Sequence, residues 1–424
     1  MDEETPSPSP IEGMAEELLG GRAAGPLSAH LLTNPSFRWL LIGETISAIA
    51  FWALLAAEFS DAAFRFDASP TQQFVLWAAF SAPFVLMTPF QSLLVDRWSP
   101  KWMNLIGYGM LIFAIPPAMF GGSINALFLS MFLIGLADAS IQPARSALTG
   151  LLIRESDLVR ANGMLSAGLQ VAGIVGPLVG GILIGASGNT DGVYVMAVAA
   201  ALLCLPFFVM IRDVRQSGER PDMKLRDLVD GAVTASRHPE LRMLMFLSIV
   251  MFMAISVFFS LEPLLVKDTI QLEQQAISFL WAAQAAGALF GALALARSKD
   301  ASGREIGIIG ISLAFAGSGT LIYVGFATYA AALIGSVIMG LGFSRFFGPS
   351  LALIQRAAGE DKRGRVTSVF SVLQESMGLV AATLFAVVAL SASAVQPMLI
   401  GTALFLTVSG LVALTALRRQ AARS

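Results

Sequence analysis

Residues 243–266 read MLMFLSIVMFMAISVFFSLEPLLV, an unbroken apolar run in which Glu262 is the only charged residue. A helix of roughly 20 apolar residues is long enough to cross the hydrocarbon core of a bilayer, about 30 Å. Eleven other apolar runs of similar length occur in the chain. We therefore predict an all-α membrane protein with twelve transmembrane helices, near residues 38–59, 73–95, 102–120, 125–151, 160–186, 192–211, 243–266, 275–296, 304–325, 329–355, 365–390 and 395–417.

The composition of the whole chain agrees with this interpretation. Of its 424 residues, 56% are hydrophobic and 13% are charged, whereas a soluble domain has about 25% charged residues. A net charge of −2 with no basic domain excludes a nucleic-acid binder. The single cysteine, Cys204, excludes a disulfide framework and a cysteine-based metal site. We expect no metal and no cofactor, and the chain has no Walker-type glycine loop that would indicate an ATPase.

The basic residues predict the topology. If both termini face the cytoplasm, 23 of the 27 Lys and Arg residues lie in the tails or in cytoplasmic loops. Cytoplasmic loops of membrane proteins carry an excess of these residues. The exceptions are Arg65 and Lys267 on the outer side and Arg145 and Arg345 within spans. We predict a multi-pass protein of a bacterial inner membrane, with both termini in the cytoplasm.

The spans divide into two halves. We predict a disordered cytoplasmic tail over 1–34, six-helix halves over 35–211 and 243–417, a cytoplasmic linker over 212–242, and a short tail over 418–424. Apolar residues recur at helical spacing in the linker, which indicates an amphipathic helix on the inner membrane face; the simpler alternative is a plain connection. These residues are Leu225, Leu228, Val229, Ala232 and Val233.

A constant offset of 205 residues relates parts of the two halves. The matches lie at corresponding points of the fourth and tenth spans and of the loops after them, which indicates an internal duplication. Paired repeats are how many transporters build a central site that opens alternately to each side. The offset superposes Gly135 on Gly340, Leu136 on Leu341, Glu155 on Glu360 and Arg160 on Arg365.

Three groups of motifs resemble those of a known family. The loop after the second span, residues 91–101, reads QSLLVDRWSPK and resembles the signature of the major facilitator superfamily at that place. The fifth span carries GIVGPLVGG at 173–181, which is similar to the antiporter motif of exporters in that superfamily. QPAR at 142–145, LVRANG at 158–163 and RGRV at 363–366 resemble the branch that contains the enterobactin exporter and related secretion proteins. The resemblance implies the twelve-helix major facilitator fold and efflux by antiport.

By this resemblance, Asp96, Arg97 and Lys101 form a cytoplasmic gate. A carboxylate at this point can cap the N-terminus of a neighbouring helix, whose free amides carry partial positive charge. In the antiporter-like motif, small residues allow a second helix to approach closely, and a proline permits a bend. Close packing alone and a role in blocking leak both remain open for that motif, which comprises Gly173, Gly176, Pro177, Gly180 and Gly181.

Five charged residues lie deep within the predicted spans. Because a charge at the bilayer centre costs roughly 2.5–3.5 kcal/mol on insertion scales, such a residue usually faces a cavity or a partner. Asp138 and Arg145 are seven residues apart and share one face of the fourth span. Two arginines at similar depths in the two halves can hold an anionic substrate, or each can neutralise a carboxylate. The five are Glu44, Asp138, Arg145, Arg345 and Glu375.

The buried carboxylates are candidates for proton coupling. Burial favours the neutral form and a nearby arginine favours the charged form, so movement can switch protonation. No histidine lies in a span, so the proton carrier would be Glu44, Asp138 or Glu375, and we favour the last two; permanent salt bridges are the alternative. Glu44 can also reach the inner vestibule, and Glu58 and Glu262 are expected to reach the outer interface. Candidate cavity-lining residues are Trp52, Trp77, Trp281, Phe258, Phe259, Phe346, Phe347, Gln170, Gln284 and Gln374.

Together these features predict a non-enzymatic secondary transporter. We expect a monomer in the lipid bilayer that exports a small amphipathic or anionic compound, siderophore- or drug-like, in exchange for protons. One alternative is a transporter or facilitator of lysophospholipid or another metabolite. A second alternative is a membrane receptor or assembly factor that does not transport, in which case the deep charges would be permanent pairs.

Overall fold

The structure is a computed structural model that describes residues 31–97, 99–212, 225–297, 303–359, 362–388 and 392–421. A π-helical turn, Leu265–Thr269, directly follows the helix Pro239–Leu264. The main elements are thirteen helices: α1 Pro35–Phe64, α2 Pro70–Arg97, α3 Pro100–Phe120, α4 Ile124–Leu152, α5 Leu158–Ser187, α6 Asp191–Val209, α7 Leu225–Arg237, α8 Pro239–Leu264, α9 Gln275–Ala296, α10 Glu305–Phe326, α11 Tyr329–Ala357, α12 Arg363–Val388 and α13 Val395–Ala421.

The prediction of an all-α membrane protein is confirmed. Among the described residues, 11 helices are long and apolar enough to cross a membrane, namely all except α2 and the short α7. The count of twelve spanning helices in two repeats stays a prediction.

The long helices pack into two bundles, α1–α6 and α8–α13, which we name the first and second bundle. In the first bundle α1 contacts α5 and α6, α2 contacts α4, and α3 contacts α4 and α6. The second bundle repeats each pairing seven elements later: α8 with α12 and α13, α9 with α11, and α10 with α11 and α13. Between the bundles, α2 lies against α12 and α8, and α5 lies against α9.

Glycines permit the closest of these helix contacts. A Cβ atom on Gly135 of α4 would lie 2.1 Å from the carbonyl oxygen of Phe80 on α2. A Cβ atom on Gly340 of α11 would lie 1.9 Å from the carbonyl oxygen of Gln284 on α9. Each distance is shorter than any real contact of a Cβ atom, so only glycine fits. Gly135 and Gly340 are the pair that the offset of 205 superposes.

The two ends of the molecule differ. We call the end where α1 and α8 begin and where α7 lies the linker end, and the opposite one the far end. Among the described residues, every hydrogen bond between the bundles lies at the far end, so the bundles are closed together there. These bonds run from Lys267 to the carbonyl oxygen of Ala63 (2.8 Å) and to Asp67, from Gln274 to Ser60 (2.9 Å) and Asp61 (2.8 Å), and from Thr71 to the carbonyl oxygen of Ala386 (2.9 Å).

Helix α7 lies within the linker and packs on the start of α12 and of α8. It approaches α12 closely because a Cβ atom on Gly231 would lie 2.5 Å from the carbonyl oxygen of Arg365. Val229 and Val233 on α7 are 57% and 40% exposed. The helix therefore presents apolar side chains outward at the linker end.

Candidate functional site

The first bundle contains a cavity of about 210 Å³, lined by residues of α1, α3, α4 and α5. An ion pair forms its charged wall, with Arg145 Nη1 3.1 Å from Glu44 Oε2. Asn104 donates from Nδ2 to the other oxygen of Glu44, Oε1, at 3.2 Å. Glu44 is only 2% exposed. Both oxygens of this carboxylate are therefore occupied inside the bundle, and Glu44 does not extend toward the membrane interface.

Asp138 lines the same cavity two helical turns from Arg145. Its Oδ2 accepts a hydrogen bond of 3.0 Å from Nε2 of Gln142, a neutral donor. Arg145 directs its guanidinium to Glu44, not to Asp138. Asp138 is therefore a carboxylate at the cavity with no ion pair among the described residues.

Glu375 lies on α12 of the second bundle. One turn further along, Gly378 faces the first bundle, since a Cβ atom there would lie 3.2 Å from Nε1 of Trp77 on α2. Glu375 is not among the residues that line the cavity of the first bundle, but the negative charge of Asp138 acts on it across the two bundles. Within the described part of the chain, Glu375 has neither an ion pair nor a hydrogen bond. Two carboxylates, one from each bundle, thus lie within range of each other's charge, and neither has an ion pair among the described residues.

Arg345 does not join this group. Its guanidinium carbon lies 5.8 Å from the ring centroid of Phe315 on α10. Helix α10 packs against α8, α11 and α13 of its own bundle. Of the two alternatives for the arginines, Arg145 follows the second, since it pairs with the carboxylate of Glu44. Arg345 lies over an aromatic ring instead, and no carboxylate pairs with it among the described residues.

The three residues of the expected cytoplasmic gate are described unequally. The side chains of Asp96 and Arg97, at the end of α2, lie outside the described residues. Lys101, at the start of α3, donates from Nζ to the carbonyl oxygens of Val209 and Ile211 at 2.7 and 2.6 Å. These carbonyls end α6, and a cation is favourable there because the C-terminus of a helix carries partial negative charge.

The antiporter-like motif packs α5 against both bundles. A Cβ atom on Gly176 would lie 2.3 Å from the carbonyl oxygen of Ile49 on α1, and one on Gly181 would lie 2.8 Å from the ring of Phe279 on α9. A Cβ atom on Gly180 would lie 3.2 Å from the Cβ atom of Ala53, whereas one on Gly173 would have no neighbour closer than 3.7 Å. Gly176, Gly180, Gly181 and the buried Pro177 thus lie in close helix contacts, whereas the buried Gly173 leaves room for a Cβ atom in ordinary van der Waals contact with Ala285 on α9.

Aromatic residues from both bundles meet between the cavity and the far end. Trp77 of α2 stacks on Phe259 of α8, with ring centroids 5.8 Å apart. Trp281 of α9 lies 5.0 Å from Phe259 and 6.2 Å from Phe59 of α1. We call Phe59, Trp77, Phe259 and Trp281 the aromatic plug. It consists of apolar contacts that would have to separate if the far end opened.

Two carboxylates that the sequence places at the outer interface are buried instead. Glu58 is 0% exposed and accepts a hydrogen bond of 2.6 Å from Ser130. Glu262 is 1% exposed and accepts hydrogen bonds of 2.8 Å from Trp281 and from Tyr323. The expectation that Glu58 and Glu262 reach the interface is therefore not met, because neighbouring helices supply neutral donors within the bundles.

Sequence reasoning missed a third carboxylate at the far end. Asp61 is 1% exposed and accepts hydrogen bonds of 2.8 Å from Thr190, Tyr194 and Gln274. Its spacing of three residues from Glu58 is the signal that would have placed it on the same side of α1. Nearby, the Lys267 ammonium lowers the pKa of Asp67, which lies in the loop between α1 and α2, through a hydrogen bond and its charge.

Comparison with known proteins agrees with the fold. The family model described as "Major Facilitator Superfamily" matches residues 40–382. The chain is 24% identical over 381 residues to the uncharacterized MFS-type transporter YfiS of Bacillus subtilis (strain 168), covering 88% of this chain and 89% of that protein. It is 27% identical over 152 residues to the lysophospholipid transporter LplT of Shigella flexneri, covering 36% and 37% of the two chains.

Solved structures give the same result for the fold. The nucleoside transporter NupG superposes with a TM-score of 0.67 at 13% identity, covering 89% of this chain and 98% of that one. A bacterial homologue of the human lysosomal transporter Spinster, in an inward-facing and unoccupied conformation, superposes with a TM-score of 0.68 at 13% identity, covering 93% and 98%. Since the family model covers most of the helical region, this chain belongs to the major facilitator superfamily, and it is a transporter, not an enzyme.

Proposed function

We propose that the protein exports a small amphipathic compound in exchange for protons, by alternating access, with Asp138 and Glu375 as the proton carriers. The observation that carries this proposal is that these two carboxylates, one from each bundle, lie within range of each other's charge and that neither has an ion pair among the described residues. Carboxylates within membrane spans are costly and are commonly parts of proton or substrate pathways.

The arrangement of charges supports a division of roles. Glu44 is held by Arg145 and Asn104, so it is suited to a fixed structural pair. Asp138 has a neutral donor, Gln142, and Glu375 has none among the described residues. Because Asp138 and Glu375 come from different bundles, relative movement of the bundles changes their separation and hence their preference for a proton.

We also propose a topology and a conformational state for the protein. The linker end is cytoplasmic in a bacterial inner membrane, so the structure corresponds to a state closed toward the outside. The twelve long helices arose by duplication, as the recurring pairings of the two bundles suggest, and the protein acts as a monomer. We further propose that the protein works as an efflux antiporter and that it belongs to the branch that contains the enterobactin exporter.

The test uses purified protein in proteoliposomes with an imposed pH gradient and ethidium as the first drug-like probe. Wild-type protein is expected to move the dye in response to the gradient, and Asp138→Asn and Glu375→Gln are expected to abolish that response. The matched control is Glu273→Gln, which removes a carboxylate from an exposed loop at the far end. Gradient-driven transport that is unchanged in both Asp138→Asn and Glu375→Gln would show that the proton carriers lie elsewhere.

A second candidate function is transport of lysophospholipid. It rests on the similarity to LplT, which covers 36% of this chain. The same proteoliposomes, supplied with a fluorescent lysophospholipid, test it directly. Movement of that lipid without any effect of the pH gradient would favour this function and would argue against proton-coupled export.

A further inference from the structure

The charge of the substrate can be inferred from the basic residues of the spans. The sequence has only two basic residues deep within the predicted spans, Arg145 and Arg345. Arg145 is bound to the buried Glu44 at 3.1 Å, and Arg345 is stacked over Phe315 in the second bundle. The charge of Arg145 is therefore already balanced by Glu44, and the guanidinium of Arg345 faces a ring of its own bundle, away from Arg145.

The carboxylates near the cavity outnumber the cations. Glu44, Asp138 and Glu375 carry three negative charges when ionised, and Arg145 carries the only positive charge near them among the described residues. An anionic substrate would add to the repulsion that already acts between Asp138 and Glu375. A cation placed between them would instead gain from both carboxylates, and the gain is larger in a cavity than in bulk water because the effective dielectric constant is lower.

The rest of the cavity wall suits the same class of ligand. Phe51 and Trp52 line it beside Asp138, and Trp52 lies 6.5 Å from Trp281 of the plug in an edge contact. Aromatic faces attract cations, and aromatic cages are a common means of recognising quaternary ammonium groups. Gln170 adds a neutral polar group to the lining. Carboxylates combined with aromatic faces recognise a positive group on an apolar body.

We infer that the substrate of this transporter is a cationic amphipathic compound, such as a quaternary ammonium or phosphonium compound, held by Asp138 and Glu375 against Phe51 and Trp52. This inference rests on the proposed function and names its substrate class. It replaces the anionic class that two convergent arginines would have favoured.

The same two carboxylates couple export of the cation to protons. A proton and a cationic substrate compete for the same oxygens of Asp138 and Glu375, so binding of one displaces the other. The other titratable groups at this cavity are the Glu44–Arg145 pair and Tyr108 of α3. The pair is neutral as a whole, and a phenol is neutral at ordinary pH. Binding of the cation is therefore expected to weaken as the pH is lowered.

The test compares two probes of nearly equal shape and opposite charge, tetraphenylphosphonium and tetraphenylborate. Binding to purified full-length protein in neutral detergent is measured by equilibrium dialysis, without any gradient. Wild-type protein is expected to bind the phosphonium at least about tenfold more tightly than the borate. Asp138→Asn and Glu375→Gln are each expected to weaken phosphonium binding about tenfold, whereas Asp138→Glu, which keeps the charge, and Glu273→Gln retain it.

The outcomes separate this inference from the proposed function. Equal or tighter binding of tetraphenylborate, or phosphonium binding that neither neutralising variant weakens, would overturn the cationic class even if gradient-driven transport of another compound persisted. Conversely, phosphonium binding that depends on both carboxylates would support the class even if proteoliposomes showed no response to a pH gradient. Size-exclusion profiles that match wild type establish that each variant is folded.

Discussion

The Glu44–Arg145 pair yields a prediction in which a second substitution restores stability. Arg145→Gln removes the cation and leaves a carboxylate that is 2% exposed, with Asn104 as its remaining donor. Glu44→Gln leaves Arg145, whose side chain is 23% exposed and borders the cavity. We expect the first variant to be far less stable than the second, because the orphaned charge is buried in one case and can reach water in the other.

The magnitudes follow from that difference. Leaving one partner of a buried ion pair alone costs about 3–5 kcal/mol in the free energy of unfolding. In Glu44→Gln the unpaired arginine can reach water, so this variant should lose less free energy of unfolding, about 1–3 kcal/mol. In the double variant two neutral amides face each other, so stability should return to within about 2 kcal/mol of wild type. Adding Glu44→Gln to Arg145→Gln should therefore stabilise the protein.

Reversible unfolding by dodecyl sulfate in mixed micelles measures the four free energies of this cycle. The matched control is the partly exposed pair of Arg160 and Asp157, 3.7 Å apart, where Arg160→Gln should change stability by less than about 1 kcal/mol. If the double variant were less stable than Arg145→Gln, the buried pair would not be the reason for the loss, and the assignment of Glu44 as a fixed structural partner would be wrong.

Three further predictions concern helix packing and closure of the far end. Gly340→Ala should destabilise the protein by about 1–3 kcal/mol in the same unfolding assay, because its Cβ atom would meet the backbone of α9. Gly348→Ala on the same helix is the control: its Cβ atom would have only a side chain at 3.8 Å, so it should be neutral or stabilising. Lys267→Gln should favour opening of the far end, seen as faster maleimide labelling of Thr71→Cys in a background where Cys204 is replaced by alanine; unchanged labelling would mean that this contact does not hold the end closed. Because Lys267 lowers the pKa of Asp67, their contact should persist above pH 4 and weaken only as acid protonates the carboxylate, so labelling that rises between pH 7 and 5 would contradict this assignment.

The membrane class and the all-helical fold could be predicted because they depend on local properties. Runs such as 243–266 must bury their backbone polar groups within one helix when water is absent, so length and apolar composition are sufficient to identify them. The offset of 205 also identified Gly135 and Gly340, and both lie at closest approaches of two helices.

The surroundings of the charged residues could not be predicted in the same way. Glu262 lies near the end of its apolar run, which indicates an interface, yet Trp281 and Tyr323 from two other helices bury it. Arg145 and Arg345 lie at similar depths within the fourth and tenth spans, yet one contacts a carboxylate and the other an aromatic ring. Depth is a property of the helix alone, whereas the partner depends on the rotation of that helix against its neighbours.

The sequence alone determined that this protein lies in a membrane, because charged residues are scarce. The lengths of its apolar runs determined the lengths of the spanning helices, and the few charged residues within those runs were identified at the same time. Only the tertiary structure decided which of those side chains meet. Glu44 and Arg145 are 101 residues apart and form a pair, and Asp138 and Glu375 come from different bundles and are left without a cation among the described residues. The reason is physical: hydrophobicity acts on each segment separately, but an ion pair forms only where packing brings two particular side chains within a few ångströms.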